Sequence, residues 1–166
     1  MALLDLPFIA ALRRNHALEH ATMHILAQRQ PFLNVVARTS VDGFHVYGSV
    51  DTKMLADTAT EALARLEGGQ AELAIHPRCG TNLVVAGFLA GCATFLATGG
   101  SKSRWSKFPR FILASTLAVI VAQPLGLLIQ EQVTTSTDVA GLRIAEVTRQ
   151  ALGSVTIHKV LLEHTS

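Results

Sequence analysis

Charge is scarce in this chain. Asp, Glu, Lys and Arg make up 16% of its 166 residues, against roughly 25% in an ordinary soluble domain, and the shortage implies a surface that partly faces lipid. Aromatic residues are scarcer still, at 5%, although hydrophobic residues reach 49%. The net charge of +2 is too small for a nucleic-acid surface, and no basic stripe with interleaved aromatics occurs, so nucleic acid is excluded as a partner. Cysteine is limited to Cys79 and Cys92. Cys92 sits inside an apolar run with no obvious partner, which excludes a disulfide framework and leaves the redox compartment unread. The opening MALLDLPFIAALRR places its apolar stretch before its arginines, the reverse of a secretory signal peptide, and reads as the start of a mature helix.

What the chain does have is two uncharged runs, LVVAGFLAGCATFLAT from Leu83 to Thr98 and FILASTLAVIVAQPLGLLI from Phe111 to Ile129. At 1.5 Å per residue each crosses or nearly crosses a hydrocarbon core of about 30 Å, the shorter one with Asn82 and Gly99 added or the bilayer thinned locally. The alternative, a buried hairpin of a soluble protein, is unusual for two such runs so close together. Gly87 and Gly91 form a G-x-x-x-G pair that would let the two helices approach closely, and Pro124 is tolerable inside a membrane helix. Between the runs, GGSKSRWSKFPR holds Lys102, Arg104, Lys107 and Arg110 and no acid. By the positive-inside bias the connector 99–110 is cytoplasmic and both termini lie on the opposite side.

The flanks read as a small folded unit. Pro7 behind Asp5 starts a helix that runs to about Arg29, with Pro31 as its stop. NVVARTSVDGFHVYG is a hairpin signal around Asp42-Gly43. Asp51 or Thr52 caps a second helix with Leu55, Ala59, Ala62, Leu63 and Leu66 on one stripe, closed by Gly68-Gly69. AELAIH reads as a strand, and LRIAEVTRQ and SVTIHKVLL as a strand pair turning near Gly153 that completes the sheet begun earlier. The tract VTTSTD is the expected linker. The expectation is therefore an α+β membrane protein, a two-helix transmembrane hairpin inserted into a small soluble unit of two helices and a mostly antiparallel sheet. Its parts are 1–81, carrying the first helix, 82–130, the hairpin, and 131–166, the closing strands.

The first helix raises the functional question. Phe8, Ile9, Leu12, Met23 and Leu26 define its apolar face at 100° per residue, and His16, Glu19 and His20 fall in the middle of that face, with His24 one turn on. Burying a carboxylate costs several kcal/mol unless it is paired, protonated or close to a metal. A bound Zn²⁺ offsets that cost: two imidazoles four residues apart reach one ion, and an acid between them is placed to take a proton from metal-bound water. The competing account makes the histidines neutral core groups hydrogen-bonded to one another, to Glu19 and to backbone. A further zinc ligand would come from HPRCGTN, with His76 at the end of the AELAIH segment and Cys79 in a Pro/Gly-flanked turn; the plain alternative is a tight turn capping the first span. His45, His158 and His164 read as ordinary strand or tail residues.

The string His16-Ala17-Leu18-Glu19-His20 resembles the H-x-x-E-H motif of the inverzincin metallopeptidases. That resemblance covers five residues and implies His16 and His20 as zinc ligands and Glu19 as general base; no signature of that family's third, glutamate ligand is present. Over nearly the whole chain, NHALEHATMH, VDGFHVYGSVDT, HPRCGTNLV and PLGLLIQEQVTT resemble a family of small two-span bacterial membrane proteins of unknown function, which implies one structural unit and a bacterial membrane but no activity. Two functions stand at this point. One is a membrane zinc hydrolase, with a peptide bond as first substrate; the other is a non-catalytic accessory subunit whose hairpin docks into a larger membrane complex. Ligation of a haem or pigment by these histidines is less favoured, because no C-x-x-C-H occurs and the spans contain no histidine.

Overall fold

The computed structural model describes residues 3–97, 104–153 and 155–165; part of the basic connector, Lys102 included, lies outside them. The fold is mixed α+β, with four α-helices and one four-stranded antiparallel sheet among the described residues. It divides into two compact units, Met1–His76 with Glu131–Ser166, and Pro77–Gln130.

In the first unit, α1 spans Pro7–Arg29. Proline suits the first helical turn because its missing N–H has no helical acceptor to lose there, and Pro31 follows the end. Its buried positions include Asn15, Ala17, Leu18, Ala21, Ile25 and Leu26, whereas Phe8 is 59% exposed. The fully buried stripe thus begins two turns later than the apolar periodicity predicts, because Phe8 and Leu12 line an open pocket beside the hairpin residues 38–41 and are only partly covered. Asn15 marks the change: its side-chain amide donates to the carbonyls of Ser40 and Val41 at 3.0 and 2.9 Å, tying the helix to the hairpin.

That hairpin is β1 (Val36–Ser40) and β2 (Gly43–Tyr47), with Ser40 opposite Gly43. Gly43 has φ of +136°, and a Cβ there would lie 2.0 Å from the Val160 carbonyl oxygen, so only glycine fits. The second helix, α2 (Thr52–Glu67), starts at Asp51, whose carboxylate accepts from the Met54 amide at 2.8 Å, the usual way to satisfy an orphan N–H. Leu55, Ala59, Ala62 and Leu66 are buried, as the stripe requires. The sheet closes with β3 (Leu142–Leu152) and β4 (Val155–His164), in the order β1-β2-β4-β3. Phe44, Val46, Val160 and Leu162 alternate inward from the two central strands onto Leu18, Ile25 and Leu55 of the helices.

The segment expected as a strand, AELAIH, is instead a 3₁₀ turn at Ala71–Ala74, with Leu73 bonded back to Gln70 and Ile75 to Glu72. Ala, Glu and Leu have little strand preference, and the four-stranded sheet forms without this segment.

The second unit pairs α3 (Gly80–Leu96) with α4 (Arg104–Ile129), which a π turn, Gln130–Thr134, continues. Pro109 and Pro124 both lie inside α4. Among the described residues one helical stretch, Lys107–Thr134, is long and apolar enough to cross a membrane, while Gly80–Leu96 is apolar but shorter. Two full-length spans are therefore not what the helices present. Many of their large apolar side chains face outward, including Leu83, Phe88, Phe95, Leu113, Leu117 and Ile120. The close approach is not at the G-x-x-x-G pair, since a Cβ at Gly87 or Gly91 would meet nothing within 4 Å. It is at Gly126, where a Cβ would come within 2.4 Å of the Asn82 side-chain oxygen. That same oxygen accepts from Gln130 Nε2 at 2.7 Å, and Asn82 Nδ2 donates to the Pro77 carbonyl at 2.8 Å. A buried polar node, not a small-residue groove, joins the helices.

Candidate metal centre

Positions 16, 20 and 24 lie one turn apart on α1, so their side chains stack along one face. The His16 and His20 rings sit 4.3 Å apart, centroid to centroid, edge to face. His76, just past the 3₁₀ turn, reaches the same face: its ring is 5.7 Å from that of His20 and 4.7 Å from that of His24. Four imidazoles thus form a continuous row in the order His16, His20, His76, His24. His20 is buried, and the other three are half-buried.

Backbone carbonyls orient the row. His16 Nδ1 lies 2.9 Å from the Thr134 oxygen, His20 Nδ1 2.7 Å from that of Ala74, and His24 Nε2 2.8 Å from that of Ile75. A carbonyl oxygen only accepts, so in each case the ring nitrogen donates, and in the neutral imidazole the other nitrogen carries the lone pair. That places the lone pairs on Nε2 of His16 and His20 and on Nδ1 of His24. Donation from the distal N–H to a carbonyl is the arrangement that fixes tautomer and ring orientation in metal-ligating histidines. The ligand nitrogens offered by His16 and His20 lie within 4.8 Å of one another. The pair can hold a metal ion, and nothing in a nitrogen pair selects zinc over other late transition metals.

Glu19 is buried, and Thr39 Oγ1 on β1 donates to its carboxylate. The hydroxyl draws the acid toward the sheet and supplies part of the compensation that burial requires. Cys79 belongs to the second unit. It is the N-cap of α3, its sulfur accepting from the Thr81 amide at 3.4 Å while the thiol donates to Thr81 Oγ1, also at 3.4 Å, which is the capping role its turn sequence allowed.

The remaining histidines stay apart from the row. His45 stacks on Tyr47. His158 is fully buried on β4, its Nε2 3.1 Å from Thr52 Oγ1; burial, then the Arg149 charge, hold its pKa below the ordinary histidine value. Sequence reasoning gathered His16, His20 and His24, whose spacing is explicit, and named His76 as a donor. It missed the carbonyls of Ala74, Ile75 and Thr134, because main-chain acceptors leave no mark in side-chain identity.

Comparisons with known proteins agree with this picture in extent and add no activity. A family described as a domain of unknown function (DUF6391) matches residues 11–147. An uncharacterized protein of Picosynechococcus sp. (strain ATCC 27264 / PCC 7002 / PR-6) is 33% identical over 139 residues, covering 75% of this chain and 66% of the relative, so the chain spans just under two thirds of that protein's length. No solved structure matches. The family match takes in α1, both helices of the second unit and the start of β3, and the chain belongs to the DUF6391 family.

Proposed function

We propose that this protein crosses the bilayer twice and holds a transition-metal ion, zinc first, at the His16–His20 pair on one membrane face. The observation that carries the metal reading is the pair of carbonyl bonds that leave Nε2 of both rings as the lone-pair nitrogen.

The two-span reading is supported by sheet order. Strands from before and after the apolar segment pair directly, β2 with β4, so both flanks share one compartment and any crossings between them must be even in number. Helix α4 has the length for one crossing. The 17 residues of α3 give about 26 Å at 1.5 Å per residue, a shortfall that modest thinning accommodates. The basic connector favours a cytoplasmic loop, with the metal centre on the opposite face.

A non-catalytic centre in an accessory membrane subunit fits best, because Thr39 holds the Glu19 carboxylate toward the sheet. Metal-dependent hydrolysis is the second reading, favoured by the H-x-x-E-H string; there Glu19 would exchange the Thr39 hydroxyl for a metal-bound water. Elemental analysis of the detergent-solubilised chain tests the metal, with tightly bound zinc that survives purification expected in the wild type and lost in His16→Ala and His20→Ala. A metal-free wild type purified without chelators, which takes up no added zinc, overturns the reading. Glu19→Gln separates the two functions: a hydrolase loses turnover and keeps its metal, whereas an accessory subunit keeps both its metal and its complex.

A further inference from the structure

We infer that the histidine row has two metal stations, the second formed by His24 and His76. The inference rests on the proposed ion at His16 and His20 and extends it along the same helix face. Two full turns separate His16 from His24, about 12 Å of helix rise, which is too far for both to ligate one ion at bonds of about 2.0–2.1 Å. A single ion at the His16–His20 end therefore leaves His24 without a metal to serve.

Yet His24 is prepared as a ligand is. Its Nε2–H donates to the Ile75 carbonyl at 2.8 Å, so its lone pair is on Nδ1, the reverse of the tautomer at His16 and His20. The ring beside it is His76, at 4.7 Å between centroids and 63° between planes. The corresponding values for His16 and His20 are 4.3 Å and 62°. Two ring pairs of nearly equal geometry thus stand along one stripe, joined through the 5.7 Å step from His20 to His76. The 3₁₀ turn serves both ends, since the consecutive carbonyls of Ala74 and Ile75 orient His20 and His24.

A site with two imidazoles and water completing its coordination binds late divalent ions, in the order Ni²⁺ below Cu²⁺ and Cu²⁺ above Zn²⁺, and exchanges them faster than a site closed by four protein ligands. With His24 and His76 both half-buried where His20 is buried, the second station is the weaker and more labile one, and its occupant is a divalent transition metal rather than Mg²⁺ or Ca²⁺, which take oxygen ligands.

Zinc titration of the full chain in detergent, read by elemental analysis after buffer exchange at rising free zinc, tests this. The wild type is expected to reach two equivalents in two phases. His24→Gln keeps an amide donor for the Ile75 carbonyl but removes the ring lone pair, and is expected to stop at one equivalent with the tighter phase unchanged. His16→Ala is expected to lose the tighter phase. Saturation of the wild type at one equivalent, or two equivalents still bound by a folded His24→Gln, overturns the second station and leaves the first intact. Absence of any bound zinc overturns both.

Discussion

The pairing of α3 with α4 makes a sharp prediction about three glycines. Replacing Gly126 with Ala puts a methyl 2.4 Å from the Asn82 side-chain oxygen and 3.2 Å from its Cα. Rotating the amide relieves the first clash and sacrifices its bond from Gln130; the second is with backbone and needs the helices to separate. Overpacking of this kind costs about 1–3 kcal/mol, and an interhelical hydrogen bond in a membrane protein is worth about 0.6 kcal/mol, up to about 1.7. Against this, alanine gains about 1 kcal/mol of helix propensity over glycine. The net expectation is a loss of about 1–4 kcal/mol. Gly87→Ala and Gly91→Ala meet open space, so they keep the propensity gain and should be neutral to slightly stabilising. SDS titration of the chain in mild detergent, followed by far-UV circular dichroism, measures all three. The reasoning is refuted if Gly126→Ala matches the wild type, or if the other two alanines weaken the unit as much.

Three further outcomes are expected. Because His158 has a lowered pKa in the folded chain, the unfolded chain takes up a proton near its ordinary value of about 6.5 that the folded one resists; stability contributed by neutral His158 is full above that value and falls as pH drops through it, so His158→Leu should flatten the dependence of the urea midpoint between pH 8 and 5.5. Gly43→Ala should cost about 3 kcal/mol or more through backbone strain and collision with the Val160 carbonyl, with loss of hydrogen-exchange protection centred on β2 and β4. Asp51→Ala should cost about 1 kcal/mol by leaving the Met54 amide uncapped, read as a lower thermal midpoint with no change in metal content.

Local signals in the sequence carried the periodic parts of the fold. Proline at position 7 and again at 31 bracketed α1, Asp42-Gly43 marked a hairpin, and the β-branched runs on either side of Gly153 became β3 and β4. The failures are places where tertiary context overrides a short pattern. Six residues of AELAIH alternate like a strand, but alternation over so short a stretch also fits a turn, and the sheet is complete without it. Phe8 fits the apolar helical period and still stays largely exposed beside the hairpin, since periodicity marks the side a residue faces and not how completely that side is covered. Gly87 and Gly91 have the spacing of a packing motif, whereas the contact is made at Gly126, whose partner is polar. In the metal centre the spacing of His16, His20 and His24 was explicit, but the fixed tautomers depend on carbonyls supplied by Thr134, Ala74 and Ile75, the first more than a hundred residues away in the chain.

The placement of β4 between β2 and β3 has a consequence for biosynthesis. Strand β2 leaves the ribosome early, and its neighbour arrives only after residues 48–154 have been made, roughly 5–20 s later at usual elongation rates. Throughout that interval one side of the nascent hairpin presents unsatisfied main-chain groups while the apolar insert is being made. That rim needs shielding until β4 arrives, and a chain truncated before Val155 should be cleared by proteolysis rather than accumulate as a partial fold.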